Sequence, residues 1–185
     1  MKIHCIDLKD INTDRIADKV LLNFAINEIF NIHLKSSKTQ QDINMFKDEF
    51  KKDNPGFIVA FLNNDVDSRE FTLKSKIIGF FIFYNVLDEM HILDITVSKE
   101  MQSKGIGSFI LDYAIKKYFK EGIKYFFLEV RVSNIKAMCL YKKFGFKSFM
   151  VRKGYYDDNK EDAVCMVKEF DNDGLNLAIL LNKPS

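Results

Sequence analysis

The residues best suited to chemistry in this chain are Gln102-Ser103-Lys104-Gly105-Ile106-Gly107-Ser108, which follow the apolar, strand-like run Ile92 to Val97 and open an amphipathic segment. Two glycines in such a turn remove the Cβ atoms that would hold a ligand away from the backbone amides. A helix beginning there leaves its first N–H groups unpaired at the positive end of its dipole, where an anion binds. The segment therefore reads as a phosphate cradle, or else as a plain glycine-bearing strand-to-helix turn. Two familiar phosphate motifs fail on spacing. A dinucleotide fingerprint requires a third glycine where Ile110 stands, and a Walker loop requires Gly-Lys-Ser/Thr where Gly107-Ser108-Phe109 stands.

Two further side chains stand out. Glu129 lies in the run Tyr125 to Val130, which reads as apolar on both faces, so a carboxylate there is costly unless something uses it. It is either a proton acceptor or one half of a structural ion pair with Arg131 or a lysine. Tyr141, amid Leu140, Phe144 and Phe146, reads on its own as a core tyrosine with its hydroxyl hydrogen-bonded at the edge. A serine or cysteine hydrolase finds no support, because there is no G-x-S-x-G and Cys139 has no histidine placed to activate it. No ligand set for a metal is present. His4, His33 and His91 carry no pattern and read as surface or edge residues.

The order strand, Q-x-x-G-x-G, helix is followed by Leu128-Glu129-Val130-Arg131, Ser133-Asn134, Ala137, Leu140-Tyr141, Gly145-Phe146, Tyr155-Tyr156 and Glu161-Asp162-Ala163. Over residues 92 to 168 this pattern resembles the GNAT acyl-CoA N-acyltransferases, and within them the RimI branch, which acetylates the N-terminal alanine of a small-subunit ribosomal protein. The resemblance implies an α/β fold with a central, mostly antiparallel sheet, a parallel splayed pair at the acyl-CoA site and helices on both faces. It implies acetyl-CoA as donor, coenzyme A as product, no metal, and direct attack by an amine. It also carries roles onto residues. Glu129 matches the general base and Tyr141 the general acid that protonates the departing thiolate, a transfer between groups whose reference pKa values differ by only ~1.5 units. Ile95, Val97, Gln102, Ser103, Lys104, Gly105, Ile106, Gly107 and Ser108 match the cofactor-binding strand and turn, with the oxyanion met by a backbone N–H near Val97. Asn134 matches the contact to the pantetheine arm, and equally serves as a helix cap. Lys99, Lys104 and Lys136 could meet the outer phosphate. Asp94 shares a strand face with Ile92 and Thr96 that lines the acceptor groove in the family; it holds a positive amine there or makes a structural hydrogen bond. Tyr155 and Tyr156 wall the first side chain of the acceptor or pack at a strand end.

These residues need elements to position them. Residues 2 to 8 suggest a strand, and Asn12 or Thr13 can cap a helix whose apolar stripe runs Ile16, Val20, Phe24. Thr39 can cap a second helix with Ile43, Phe46 and Phe50 on one face, before Asn54-Pro55-Gly56 breaks it. Phe57 to Leu62 and Ile77 to Tyr84 are nearly continuous apolar runs, as expected of strands covered on both faces, joined by a long polar connector over 63 to 76 that reads as a mobile loop. Strand 91 to 97, helix 105 to 120, strand 124 to 130, helix 134 to 144 and an antiparallel pair near 146 to 154 and 162 to 169 complete the order. Ile106, Phe109, Ile110, Tyr113 and Ala114 give the helix after the glycine turn a wide buried face, and Gly122 and Gly145 sit where C-caps would. The segment 170 to 185, with Leu175, Leu177, Ile179, Leu180 and Leu181, is too apolar for a solvated tail and should pack on the body or on another subunit.

Composition bounds the reading. The 185 residues, 47% hydrophobic, suit one domain spanning 1 to 185 with a full core, and no run approaches the ~20 apolar residues of a membrane span. No secretory signal is visible and the three widely spaced cysteines make no disulfide framework, so a cytoplasmic location is expected. A net charge of +2 supplies no cationic field for nucleic acid. The expected partners are acetyl-CoA and a protein or peptide N-terminus, a ribosomal protein among them, with a monomer or homodimer as the assembly. At pH 7 an α-amine with a pKa near ~8 is about 10% neutral against less than ~0.1% for a lysine, a gap of roughly 3 kcal/mol that suits a single glutamate base to the α-amine. Residues 1 to 90 carry no motif that aligns with the RimI branch, which leaves a free small amine or antibiotic as an alternative acceptor, and a non-catalytic acyl-CoA-binding subunit as a second.

Overall fold

Alternating apolar runs and turn signals set the order of elements. The structure, a computed structural model, describes residues 2–11, 14–36, 55–63 and 70–170. Its strands are β1 (His4–Asp7), β2 (Pro55–Leu62), β3 (Lys76–Val86), β4 (Glu89–Val97), β5 (Tyr125–Arg131), β6 (Lys147–Arg152) and β7 (Ala163–Glu169). Its helices are α1 (Ile16–Ser36), α2 (Ile106–Lys120) and α3 (Ile135–Lys143). The strands form one mixed sheet in the order β1-β2-β3-β4-β5-β7-β6, with one parallel pair. The chain divides into two compact units, residues 1–85 with 92–117 and residues 86–91 with 118–185.

In the first unit β1, β2 and β3 pair antiparallel, Ile6 opposite Val59 and Val59 opposite Phe80. β2 and the apolar run of β3 are buried along nearly their whole length, as continuous Val/Ile/Phe runs require when both faces are covered. Phe57, Val59, Phe61, Phe80 and Ile82 pack with Ala25, Ile29 and Ile32 of α1. The opposite face meets α2. A Cβ on Gly79 would lie 3.0 Å from Ile110 Cδ1 and 2.9 Å from the carbonyl oxygen of Thr96, so glycine is what lets the strand approach both.

The buried face of α1 differs from the expected stripe. Ile16 is 82% exposed and Val20 48%, and the face turned inward runs Ala25, Ile29, Ile32, His33. Apolar residues are spread around this helix, and the row through 16, 20 and 24 turns polar at Glu28 and Lys35, so four-residue spacing alone picks the wrong row. In α2, Ile106, Ile110 and Ala114 are buried as expected and Tyr113 is half-buried, whereas Phe109 is exposed. Asn12, Thr13, the helix expected from Thr39, part of the 63 to 76 connector and the segment from 171 onward lie outside the described residues. Among the described residues no helix is long and apolar enough to cross a membrane.

In the second unit β7 pairs antiparallel with β5 and with β6. Gly122 and Gly145 follow α2 and α3 with φ of +100° and +85°, the left-handed geometry that closes a helix. Phe170, first residue of the apolar tail, is buried against Phe119 and Phe126.

The close approach at Gly79 has a measurable consequence. Gly79→Ala forces a backbone shift at Thr96 and should lower the unfolding free energy by about 1–3 kcal/mol, the range of core overpacking. An unchanged urea midpoint for this variant would show that the approach is not a constraint.

Candidate active site

The glycine turn is built by spending some backbone groups and leaving others. β4 ends at Val97, and the Ser98 amide donates to Ile78 O at 2.9 Å while the Met101 amide donates to Ser98 O at 2.8 Å, forming a short 3-10 turn over Lys99–Met101. Gln102 then caps the strand end, its Nε2 donating to Val97 O at 3.1 Å. Ser103 and Gly105 follow at φ +62° and +80°. A Cβ on Gly105 would meet nothing within 4 Å, so glycine is required there by its backbone angle and the space above the turn is open. The first amide of the helix with a backbone acceptor is that of Phe109, to Gly105 O at 3.0 Å. Among the described residues the amides of Ser103 through Ser108 have no acceptor, so the turn presents a run of donors at the N-terminus of a 15-residue helix. Gly107 and Ser108 lie within the first turn of α2.

The lysines flanking this turn go different ways. Lys104 folds back, its Nζ donating to Glu100 O at 3.0 Å. Lys99 lines a cavity of about 660 Å³ with Glu28, Asn31, Lys35, Lys76 and Glu100. Lys136 is exposed on the first turn of α3. Ile95 and Val97 belong to the last four residues of β4, all half-buried, where the strand loses its covering on both faces. Asp94 makes a structural contact: Oδ2 lies 3.3 Å from His33 Nδ1 and Oδ1 accepts from Thr96 Oγ1 at 2.9 Å. His33 is therefore not the surface residue expected from sequence. It is 8% exposed on the inner face of α1, and only the packing of α1 against β4 could have revealed it.

In the second unit β5 alternates strictly. Phe126, Leu128 and Val130 are buried, while Tyr125, Phe127, Glu129 and Arg131 share a half-open face. Apolar residues on both faces of this strand do not bury both: the Glu129 side chain is 32% exposed. Its ion-pair partner also differs from expectation. Glu129 Oε1 lies 3.3 Å from Nη1 of Arg152, not from Arg131 or a lysine. The register explains this. Glu129, Cys165 and Met150 lie in one row across β5, β7 and β6, and Arg131, Ala163 and Arg152 in the next, all on one face. The small side chains at Ala163 and Cys165 leave room for Arg152 to reach diagonally over β7.

Arg131 is engaged elsewhere through both of its terminal nitrogens. Its Nη2 donates to both carboxylate oxygens of Asp158 at 2.9 and 3.0 Å, and its Nη1 donates to Asn159 Oδ1 at 3.0 Å and Glu161 Oε2 at 3.2 Å. The Tyr156 ring lies 3.8 Å from the guanidinium carbon. Glu161 also accepts from the Ser133 amide at 2.8 Å. Hydrogen bonds from Ser133, the strongest influence, with those from Asn159 and Arg131, hold its carboxyl at about 2. Tyr155 packs edge-on against Tyr156 at 5.2 Å, with the Arg152 guanidinium 5.4 Å from its ring. Burial pushes the Tyr156 phenol up to about 12, with Tyr155 and Glu129 adding to the shift and Arg131 opposing it. Arg152, Asp158 and Asn159 carried no sequence signal; a register assignment placing two arginines beside Ala163 would have exposed the first.

The two remaining candidates sit on α3. Asn134 caps it, Oδ1 accepting from the Ala137 amide at 3.2 Å. Tyr141 is 8% exposed with its ring 5.7 Å from that of Phe146, the core placement its neighbours implied.

Sequence and fold together place the chain in a family. The model of the acetyltransferase (GNAT) family matches residues 24–146, and the chain belongs to that family. The [ribosomal protein bS18]-alanine N-acetyltransferase of Escherichia coli strain K12 is 36% identical over 99 residues, covering 52% of this chain and 67% of that enzyme. The enzyme of the same name from Haemophilus influenzae is 37% identical over 112 residues, covering 57% and 76%. Among solved structures, the ribosomal-protein-S18-alanine N-acetyltransferase from Escherichia coli superposes with a TM-score of 0.69 at 23% identity over 92% of this chain and 98% of that one. A GNAT family acetyltransferase from Elizabethkingia anophelis with acetyl-CoA bound does so at 0.65 and 18% identity over 91% and 99%. At these identities the structures speak for the fold alone.

The depressed carboxyl of Glu161 makes a signed prediction. Its ordinary value is 4.5 and its folded value about 2, so the stability it contributes is present above pH 4.5 and lost as pH falls toward 2. The urea midpoint of the wild type should fall more steeply across that window than that of Glu161→Gln. Parallel curves would remove Glu161 from the account.

Proposed function

We propose that this chain is a single acetyltransferase domain that moves an acetyl group from acetyl-CoA to the N-terminal α-amine of a protein or peptide. The observation that carries the reading is the run of unspent amides from Ser103 to Ser108 under open space at the start of α2, a fit for the pyrophosphate of an acyl-CoA. The donor supplies a thioester whose acetyl group is transferred. The chain's residues do the rest. The amides of the turn and the Ser108 hydroxyl hold the pyrophosphate; Ile95 and Val97 bind along β4, with the Val97 amide as oxyanion donor. Asn134 keeps Nδ2 available to the pantetheine arm, its Oδ1 being spent on the helix cap. Glu129 accepts the proton of the incoming ammonium, and Tyr141 gives its phenolic proton to the departing sulfur. Tyr155 and Tyr156 flank the first acceptor residue. The relatives named for alanine acetylation of ribosomal protein bS18 make a ribosomal-protein N-terminus the first acceptor to try.

Mass spectrometry of short peptides incubated with acetyl-CoA tests the reading. Peptides with a small first residue and a free α-amine should gain one acetyl group at that amine, and N-terminally blocked peptides with internal lysines should gain none. Activity confined to small free amines would point to the free-amine reading, and binding of acetyl-CoA without turnover on any amine would leave a non-catalytic subunit. A second measurement addresses the base. Glu129→Gln should lower turnover at neutral pH by roughly 10²–10⁴ and recover in part at high pH, where the amine deprotonates unaided. An equal loss at every pH would make Glu129 structural.

A further inference from the structure

The pair between Glu129 and Arg152 sets a problem for the proposed reaction. A carboxylate that is to take a proton from an ammonium works best without a cation on its oxygen, yet Arg152 Nη1 stands 3.3 Å from Oε1. The two arginines beside Ala163 differ in how firmly they are held. Arg131 donates four hydrogen bonds within one loop and carries a tyrosine ring at 3.8 Å, so releasing it would dismantle that loop. Among the described residues Arg152 has a single charged contact and a tyrosine at 5.4 Å, and its side chain is 47% exposed at the open end of β6. Exposed ion pairs of this kind are worth about 0–1 kcal/mol, so an incoming ligand can break one. Among the described residues the other groups near Glu129 offer no replacement cation. Cys165 stands across β7, its thiol raised mainly by burial, and Tyr156 stands in the loop with its phenol protonated.

We propose that Arg152 is a recognition residue for the acceptor peptide: it leaves Glu129 for an oxygen carried by the peptide beyond its first residue, and so frees the base when a long enough acceptor arrives. The planar guanidinium suits a carbonyl or a carboxylate oxygen. The proposal rests on the peptide-acceptor reading given above. It makes acceptor length a determinant of rate, because an amine with nothing beyond its first residue has no oxygen to draw Arg152 away.

The test compares wild type with Arg152→Gln on two acceptors, an alanine-first pentapeptide and alanine amide, with acetyl-CoA affinity measured by calorimetry in both. On the pentapeptide, Arg152→Gln should raise KM about tenfold, the loss expected for one charge-assisted hydrogen bond. On alanine amide the same variant should raise kcat/KM by up to about fivefold, since the pair no longer has to be broken. Arg152→Lys, which keeps the charge without the fork, should fall between the two. Pentapeptides with Asp or Asn at the second position separate the sources: a preference for Asp lost in Arg152→Gln identifies a side-chain carboxylate, and equal rates identify the main-chain carbonyl. Losses of equal size on both acceptors, or no change on either, would overturn the proposal and make Arg152 a structural partner of Glu129. Failure of the wild type to acetylate any peptide would instead strike the peptide-acceptor reading itself.

Discussion

The second unit depends on where one guanidinium finds its partners. Arg131 ends β5, and the loop between β6 and β7 closes on it through Asp158, Asn159, Glu161 and the face of Tyr156. Glu161 extends the arrangement by accepting from Ser133, one residue before the cap of α3, and Val132 donates to Asp162 O at 3.2 Å. A single cation thus ties the end of a strand, the start of a helix and a loop of otherwise exposed polar residues. The bonds are charge-assisted and numerous, so the geometry is over-determined where any one pair at the surface would be worth little. Tyr155 and Tyr156 are held by the same device, one ring edge-on to the other.

That anchoring decides what remains for Glu129. With Arg131 spent on the loop, the one cation the carboxylate meets among the described residues is Arg152 from the far strand, across small side chains on β7. The strand face is half-open instead of sealed. A sealed face would have demanded a permanent partner for the charge or a neutral carboxyl; a half-open one tolerates a charge whose partner can change. Incomplete enclosure is what sets this carboxylate apart from a sealed, structural one.

How much of this was legible in the sequence follows from the range of each interaction. The glycine turn was legible because its requirement is local: a residue at φ +80° and unpaired amides at a helix start are properties of consecutive residues. The cap at Asn134 and the buried runs of β2 and β3 were legible for the same reason. The inward row of α1 was not, since its apolar residues lie all around and the packing surface alone selects Ala25, Ile29 and Ile32 over Ile16 and Val20. His33 and Arg152 were invisible because each acquires its partner through tertiary placement, over 61 residues of chain for His33 and across a strand ladder for Arg152. Glu129 was singled out for a partly wrong reason. Its strand reads as continuous apolar chain, yet Tyr125 and Phe127 lie on the half-open face with it.

Asp94 and Glu129 are both carboxylates on strands that the family resemblance connects with the reaction, and their surroundings separate them. Both oxygens of Asp94 are engaged, one by His33 at 3.3 Å and one by the Thr96 hydroxyl at 2.9 Å, and the Asp94 side chain is 29% exposed. Both contacts come from the first unit itself and hold the carboxylate in place. Among the described residues Glu129 has one cationic contact, Arg152 on Oε1, which reaches it from the far side of β7. Asp94 is thus held from two sides by its own unit, whereas Glu129 is held from one, by an arginine that is itself half-exposed.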